Sequence, residues 1–332
     1  MAKLILHIGM QKTGSSAIQA ALANASGNGF IYPMLAGPPF KPHHTDALIE
    51  LFSGAREALV ARKARLGKTM SASDEDIERI RRAAADAGSG AVILSSEGAY
   101  SYLSVEDLMN FRRFAEQLFD SISIIGYVRE PFSFVSSNFH NKIKSSRLAR
   151  FALKFPHYRF FEKFDEVFGR DNVQLWEYDR QRLLNGNVVD DFCSKLGIVA
   201  ASSQEMNVTL SRPAVSAIYR LNRIIARNDR ALPAYHKARE AIIEDFPHAD
   251  WPKFRLSPQA IRPLVAANRE EMAWIEERIG SPSFHSEPAP LETDVVSEAD
   301  LLKMRSRPAK LLRRIGRTLP LRSRRLVKHA VA

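Results

Sequence analysis

The chain of 332 residues contains one cysteine, Cys193, and no acidic side chain from Leu301 to Ala332. A single cysteine excludes an internal disulfide and a cysteine-rich metal site. Its setting, "DDFCSKLGI", predicts a buried helical thiol, and a cytoplasmic address is the matching expectation. No stretch reaches the roughly 18 continuous apolar residues of a membrane span. The apolar run from Leu4 to Ile8, broken by His7, is too short for a secretory leader and has no small-residue cleavage site, so it reads as a strand. No internal repeat is visible.

Charge is uneven. The chain carries 48 Lys and Arg against 37 Asp and Glu, and 11 of the basic residues lie beyond residue 300. The first 300 residues therefore balance, 37 of each sign. A neutral body without an aromatic–basic platform does not suggest a nucleic-acid binder. The excess belongs to "RPAKLLRRIGRTLPLRSRRLVKHAV", where Leu, Ile and Val alternate with Arg at near-helical spacing around Pro320. Such a segment reads as one that touches an anionic membrane surface at the inner face, or as a solvated tail that can fold back on its own body.

Apolar runs at 3–8, 90–98, 121–131 and 172–179, with a short one inside "GNGFIYPM" (27–34), predict strands. Amphipathic segments between them predict helices, including one that starts at Ser73 as N-cap. This alternation predicts an α/β fold with a central parallel sheet. After about residue 200 the strands stop and a helical region follows. We divide the chain into an α/β core (1–200), a helical region completing the same domain (201–300) and the basic tail (301–332).

The stretch "LILHIGMQKTGSSAIQAAL" (4–22) is a strand, a tight loop and a helix start, which together make an anion site. Gly9 and Gly14 have the spacing of the nucleotide-kinase P-loop, but position 15 is serine and the lysine stands inside the loop, at Lys12. The hydroxyls of Thr13, Ser15 and Ser16 are the available donors. A plain Gly-rich turn is the competing reading.

"QKTGSS" (11–16) resembles the 5′-phosphosulfate loop of the PAPS-dependent sulfotransferases, commonly written PKTGTT or PKSGTT, with Gln11 in place of proline. "YVREPFSFVSSNF" (127–139) resembles that family's 3′-phosphate signature, a strand-end arginine, Arg129, with a serine eight residues later, Ser137. The resemblance covers roughly residues 3–200, including "SSE" (95–97) and "NVQLWEYDRQRL". It is nearest to bacterial members that act on carbohydrate or lipid-linked acceptors. The C-terminal R-K-G-x-x-G-D-W-K motif of the cytosolic small-molecule branch is absent, and "MNVTLSRP" (206–213) occupies a comparable position.

The resemblance implies a P-loop-like three-layer fold. It also implies transfer of a sulfuryl group from 3′-phosphoadenosine 5′-phosphosulfate (PAPS) to a hydroxyl, or less readily an amine, of a glycan or glycolipid. Gln11, Lys12, Thr13, Gly14, Ser15 and Ser16 would hold the 5′ end of the donor, and Arg129 with Ser137 the 3′-phosphate. Lys12 would meet the departing bridging oxygen, so no metal is expected. An acceptor hydroxyl needs a base. Glu97 is the first candidate and His44, with its neighbour His43, the alternative; an ordinary exposed carboxylate or histidine is the competing reading for each. His140 and Lys144 could line an acceptor path, and Tyr178 and Arg180 could border the site. Rival functions are a P-loop-like nucleoside or sugar kinase and a non-catalytic nucleotide-binding protein.

Overall fold

Strands that are apolar along both faces must be covered on both, and the chain meets this requirement with parallel strands joined by helices. The structure is a computed structural model that describes residues 1–27, 29–37, 40, 42–200, 209–225, 232–245, 251–282, 284–303, 310, 313–314, 317 and 320–331. The elements in chain order are β1 (Ala2–His7), α1 (Ser15–Ala25), β2 (Phe30–Ile31), α2 (Thr45–Phe52), α3 (Arg56–Arg65), α4 (Asp74–Ala87), β3 (Ala91–Ser95), α5 (Ala99–Tyr102), α6 (Val105–Ala115) and β4 (Phe119–Val128). There follow α7 (Pro131–Ser145), α8 (Glu162–Phe168), β5 (Val173–Glu177), α9 (Val188–Leu196), α10 (Arg212–Ile225), α11 (Leu232–Asp245), α12 (Pro258–Ala267), α13 (Arg269–Ile279), α14 (Glu298–Leu302) and α15 (Leu321–Val331). Among the described residues no helix is long and apolar enough to cross a membrane.

The described chain divides into two units. The first comprises residues 1–130, 157–206 and 273–284, and the second 131–156, 207–272 and 285–332.

The first unit holds the sheet, five parallel strands in the order β2-β3-β1-β4-β5. One face is covered by α1 and α9. Ile18, Leu22, Val189 and Phe192 pack there with Ile93, Ile125 and Tyr127 from the strands, and the thiol of Cys193 is buried among them. Alternation sends Leu4, Leu6, Val92 and Leu94, all buried, to the other face, and α4 packs on β1 and β3. Ser73 caps α4 as its sequence predicts, in a reciprocal capping box with Asp76.

The strand order fixes the site. The chain leaves β1 for one side of the sheet (β2, β3) and later returns to its other side (β4, β5). β1 and β3 end level, with His7 beside Ser95, while β4 passes Ile125, the partner of His7, and runs on to Val128. Ligands of open α/β sheets bind at such a reversal of strand order, beyond the carboxyl ends of the strands.

The second unit is helical. Asn222, fully buried on α10, donates from Nδ2 to the carbonyl oxygens of Ile143 (2.9 Å) and Leu148 (3.0 Å) and accepts from the Tyr235 hydroxyl (2.7 Å). One amide thus fastens α10 to the end of α7 and to α11.

Candidate functional site

The loop after β1 keeps bonding to β4. The N–H groups of Ile8 and Met10 donate to the carbonyls of Ile125 (2.7 Å) and Tyr127 (3.1 Å). The chain then turns through two left-handed residues, Lys12 (φ 69°) and Gly14 (φ 84°), before α1 begins. Gly14 has no alternative residue here, because a Cβ would stand 2.6 Å from Cγ1 of Val188. Lys12 adopts the same region with a full side chain, a strained conformation of the kind found at functional loops. The first N–H groups of α1 have no partner within the helix and favour an anion.

Gln11 and Lys12 are half-buried, Ser16 is exposed and Ser15 is buried. Thr13 is fully buried and its hydroxyl donates to the Met10 carbonyl at 2.5 Å, so it shapes the loop and has no proton left for a ligand.

Arg129 directly follows β4. Its Nη1 donates to the carbonyl oxygen of Lys12 at 2.7 Å, joining two motifs 117 positions apart. Its guanidinium carbon lies 5.3 Å from the centre of the Tyr178 ring, and its own carbonyl accepts from the Tyr158 hydroxyl at 2.8 Å. Burial lowers the pKa of Arg129, while Tyr178 and Glu130 act in the opposite direction. Tyr178 therefore stands beside Arg129. Ser137 is half-buried on α7, in the second unit.

Glu97 stands two residues beyond β3, half-buried. The turn that carries it is pinned at both sides: Ser96 N–H donates to the His7 carbonyl (2.8 Å), and Oγ of Ser96 and the N–H of Gly98 both reach Oγ1 of Thr45 (3.1 and 3.4 Å). Burial raises the pKa of Glu97, and the nearby charge of Lys12 partly offsets this. The carboxylate and the loop lysine thus share one neighbourhood.

His44 does not fit the role of base. It is fully buried, its Nδ1 accepts from the N–H of Ser95 (3.0 Å) and its Nε2 is 2.7 Å from the Pro33 carbonyl, to which it donates. Its own N–H donates to the Ser95 carbonyl at 2.8 Å. Both ring nitrogens are occupied, so His44 holds the end of β3 in place and has none to receive a substrate proton. Burial pulls its pKa down to about 4. His43 is half-buried beside it. His140 is likewise turned inward within the second unit, its Nε2 accepting from the N–H of Leu210 at 3.3 Å. Residues 206–208 of "MNVTLSRP" lie outside the described residues.

The residue that sequence reasoning missed is His7, the last of β1. Its Nδ1 is 2.8 Å from Oγ of Ser95, which also accepts from Nε2 of Gln19 at 3.1 Å. The Tyr32 hydroxyl donates to the Pro42 carbonyl at 2.6 Å. The other ring nitrogen of His7 is Nε2. That Nε2 and Oγ of Ser15 are both buried without a hydrogen-bond partner among the described residues. A Cβ on Gly9 would come within 2.7 Å of each. Two unpartnered polar atoms thus lie beside the loop, each costing about 1–3 kcal/mol of desolvation. The available signal was a histidine in an otherwise apolar strand.

The two buried histidines give the protein an acid limb. His7 is pulled down to about 3 and His44 to about 4 from an ordinary 6.5. Below 6.5 the unfolded chain binds protons that the fold refuses, so stability falls as pH drops from 6.5 towards about 4. Denaturant midpoints across this range should decline steeply, and less so in His44→Gln; a flat profile would contradict the burial of both rings.

No family model and no curated protein matches the chain. Among solved structures, the sulfotransferase from Alicyclobacillus acidocaldarius is 17% identical to it, over 70% of this chain and 98% of that one, with a TM-score of 0.35. The sulfotransferase domain from the Synechococcus PCC 7002 olefin synthase is 14% identical, over 60% of this chain and 74% of that one, with a TM-score of 0.32.

Proposed function

We propose that the chain is a PAPS-dependent sulfotransferase acting on a hydroxyl of a carbohydrate or glycolipid acceptor. The observation that carries this reading is the hydrogen bond from Arg129 to the Lys12 carbonyl. It joins the two anion-handling motifs at neighbouring strand ends, one suited to each phosphate end of a 3′,5′-bisphosphorylated nucleotide.

In this reading the loop N–H groups and the hydroxyls of Ser15 and Ser16 hold the 5′-phosphosulfate, and the fork of Arg129 holds the 3′-phosphate. Glu97 accepts the proton of the acceptor hydroxyl as its oxygen bonds to sulfur. The bond from sulfur to the bridging oxygen breaks, and the electron pair leaves with 3′,5′-ADP. Lys12 stabilises the charge that grows on that oxygen. Positioning and electrostatics supply the rate, as in phosphoryl transfer.

Titration calorimetry with 3′,5′-ADP tests the reading. Wild type should bind it at micromolar levels and bind Mg²⁺–ATP weakly. Arg129→Ala should bind at least about thirtyfold more weakly, since truncating one partner of a buried charge pair costs about 2–5 kcal/mol. Arg129→Lys should restore only part, because a point charge lacks the fork. Tight Mg²⁺–ATP binding with indifference to 3′,5′-ADP would replace this reading with the kinase one. Binding of 3′,5′-ADP without transfer to any acceptor would favour a non-catalytic binder.

A further inference from the structure

The basic tail ends in a helix with a narrow buried seam. On α15, Ser323 and Val327 are buried and Leu326 is half-buried, the i, i+3, i+4 spacing of one helical edge. This helix packs on α10 and α11 within the second unit. Leu321, Arg322, Arg324, Arg325, Lys328 and His329 are all exposed, Leu321 by 70%. Upstream, Lys310, Arg313, Arg314 and Arg317 are exposed as well.

The exposed side of the helix gathers charge of one sign. Arg322 and Arg325, and Arg325 and Lys328, stand three positions apart, where like charges repel. No acidic residue occurs from Leu301 onward. The macrodipole favours cations only in the last turn.

We propose that the exposed basic face of α15, together with Lys310, Arg313, Arg314 and Arg317, docks on an anionic lipid bilayer. Two features favour a bilayer over a nucleic acid. From Leu301 to Ala332 there is no Phe, Tyr or Trp on which a base could stack. Leu321, at the start of the basic helix, is exposed, and an apolar side chain among basic ones suits a lipid interface. This inference stands apart from the sulfuryl-transfer reading and can fail without it.

The test is co-flotation of the full chain with phosphatidylcholine vesicles, with and without phosphatidylglycerol. Binding should require phosphatidylglycerol and weaken as salt shortens the Debye length. Each basic residue near an anionic surface contributes about fivefold in affinity, so Arg322→Glu/Arg325→Glu/Lys328→Glu should bind at least about a hundredfold more weakly. Its seam residues are untouched, and an unchanged melting profile would show that it folds. Arg313→Gln/Arg314→Gln/Arg317→Gln provides a second variant and should also bind more weakly. Equal binding to both vesicle types, no binding at low salt, binding unchanged in both variants, or capture of a DNA duplex in preference to the vesicles would each overturn the proposal.

Discussion

Glu97→Gln is expected to lose about 10²–10⁴-fold in kcat, to keep 3′,5′-ADP binding, and to be more stable than wild type at neutral pH. The three results belong together. Glutamine fills the same space on the turn pinned by Thr45, so the loop and the donor site keep their shape. It removes a negative charge close to Lys12, which leaves affinity for a polyanionic nucleotide intact or tighter. It cannot take a proton from an acceptor. The sign of the stability change follows from linkage. Burial raises the carboxyl's pKa in the fold, so between its ordinary and its raised value the folded state holds the extra proton. Stability therefore falls as pH rises through that window, and the loss persists above it. The amide does not titrate and escapes this loss. Below the ordinary carboxylate range the advantage should vanish. In wild type kcat should rise with pH through the raised value, and the variant should lack this limb. Denaturant titrations at acidic and neutral pH, with turnover on any acceptor that wild type sulfates, check all three. Turnover near the wild-type level would remove Glu97 as base. Loss of 3′,5′-ADP binding together with activity would make it a structural support of the loop.

How much of this was legible in the sequence depended on range. The five strands are apolar runs, and the anion loop is a local pattern of Gly, Lys and hydroxyls between strand and helix; both follow from nearest neighbours along the chain. The strand-end position of Arg129 was legible for the same reason, whereas its bond to the Lys12 carbonyl spans β1 and β4 and needed their pairing. For Thr13 and His44, residue type suggests what a side chain can do, while burial decides which bonds it makes. Thr13 turns its hydroxyl back to Met10, and His44 meets the backbone of Ser95, residues that only the fold brings beside it. His7 was passed over as an interruption in a strand. Its setting depends on Ser95 and, through it, Gln19, residues from two other elements. The grouping of α7 with the helices beyond residue 207 is equally a matter of long-range packing, on which local periodicity is silent.

Gly14→Ala is expected to destabilise the protein by about 2–5 kcal/mol and to weaken 3′,5′-ADP binding, two effects with separable causes. The backbone at φ 84° disfavours any residue with a Cβ by roughly 1–2 kcal/mol. Independently, that Cβ would lie 2.6 Å from Cγ1 of Val188, and overpacking of this kind costs about 1–3 kcal/mol. Val188 cannot easily retreat, because it is the first residue of α9. Asn187 caps that helix through a bond from the N–H of Val189 to its Oδ1 at 2.8 Å, and Val189 is buried in the core on α1. The loop must give instead, and it is the loop that presents N–H groups to the donor. The double variant Gly14→Ala/Val188→Ala removes the overlap but leaves the left-handed backbone. A double-mutant cycle should therefore show a favourable coupling of about 1–3 kcal/mol, with the remaining loss assignable to φ alone. Additive effects would mean that the loop yields without pressing on Val188, and the weakened binding would then have to come from backbone conformation only. Full recovery in the double variant would mean that the left-handed turn tolerates a Cβ, as the same region of the backbone already does at Lys12.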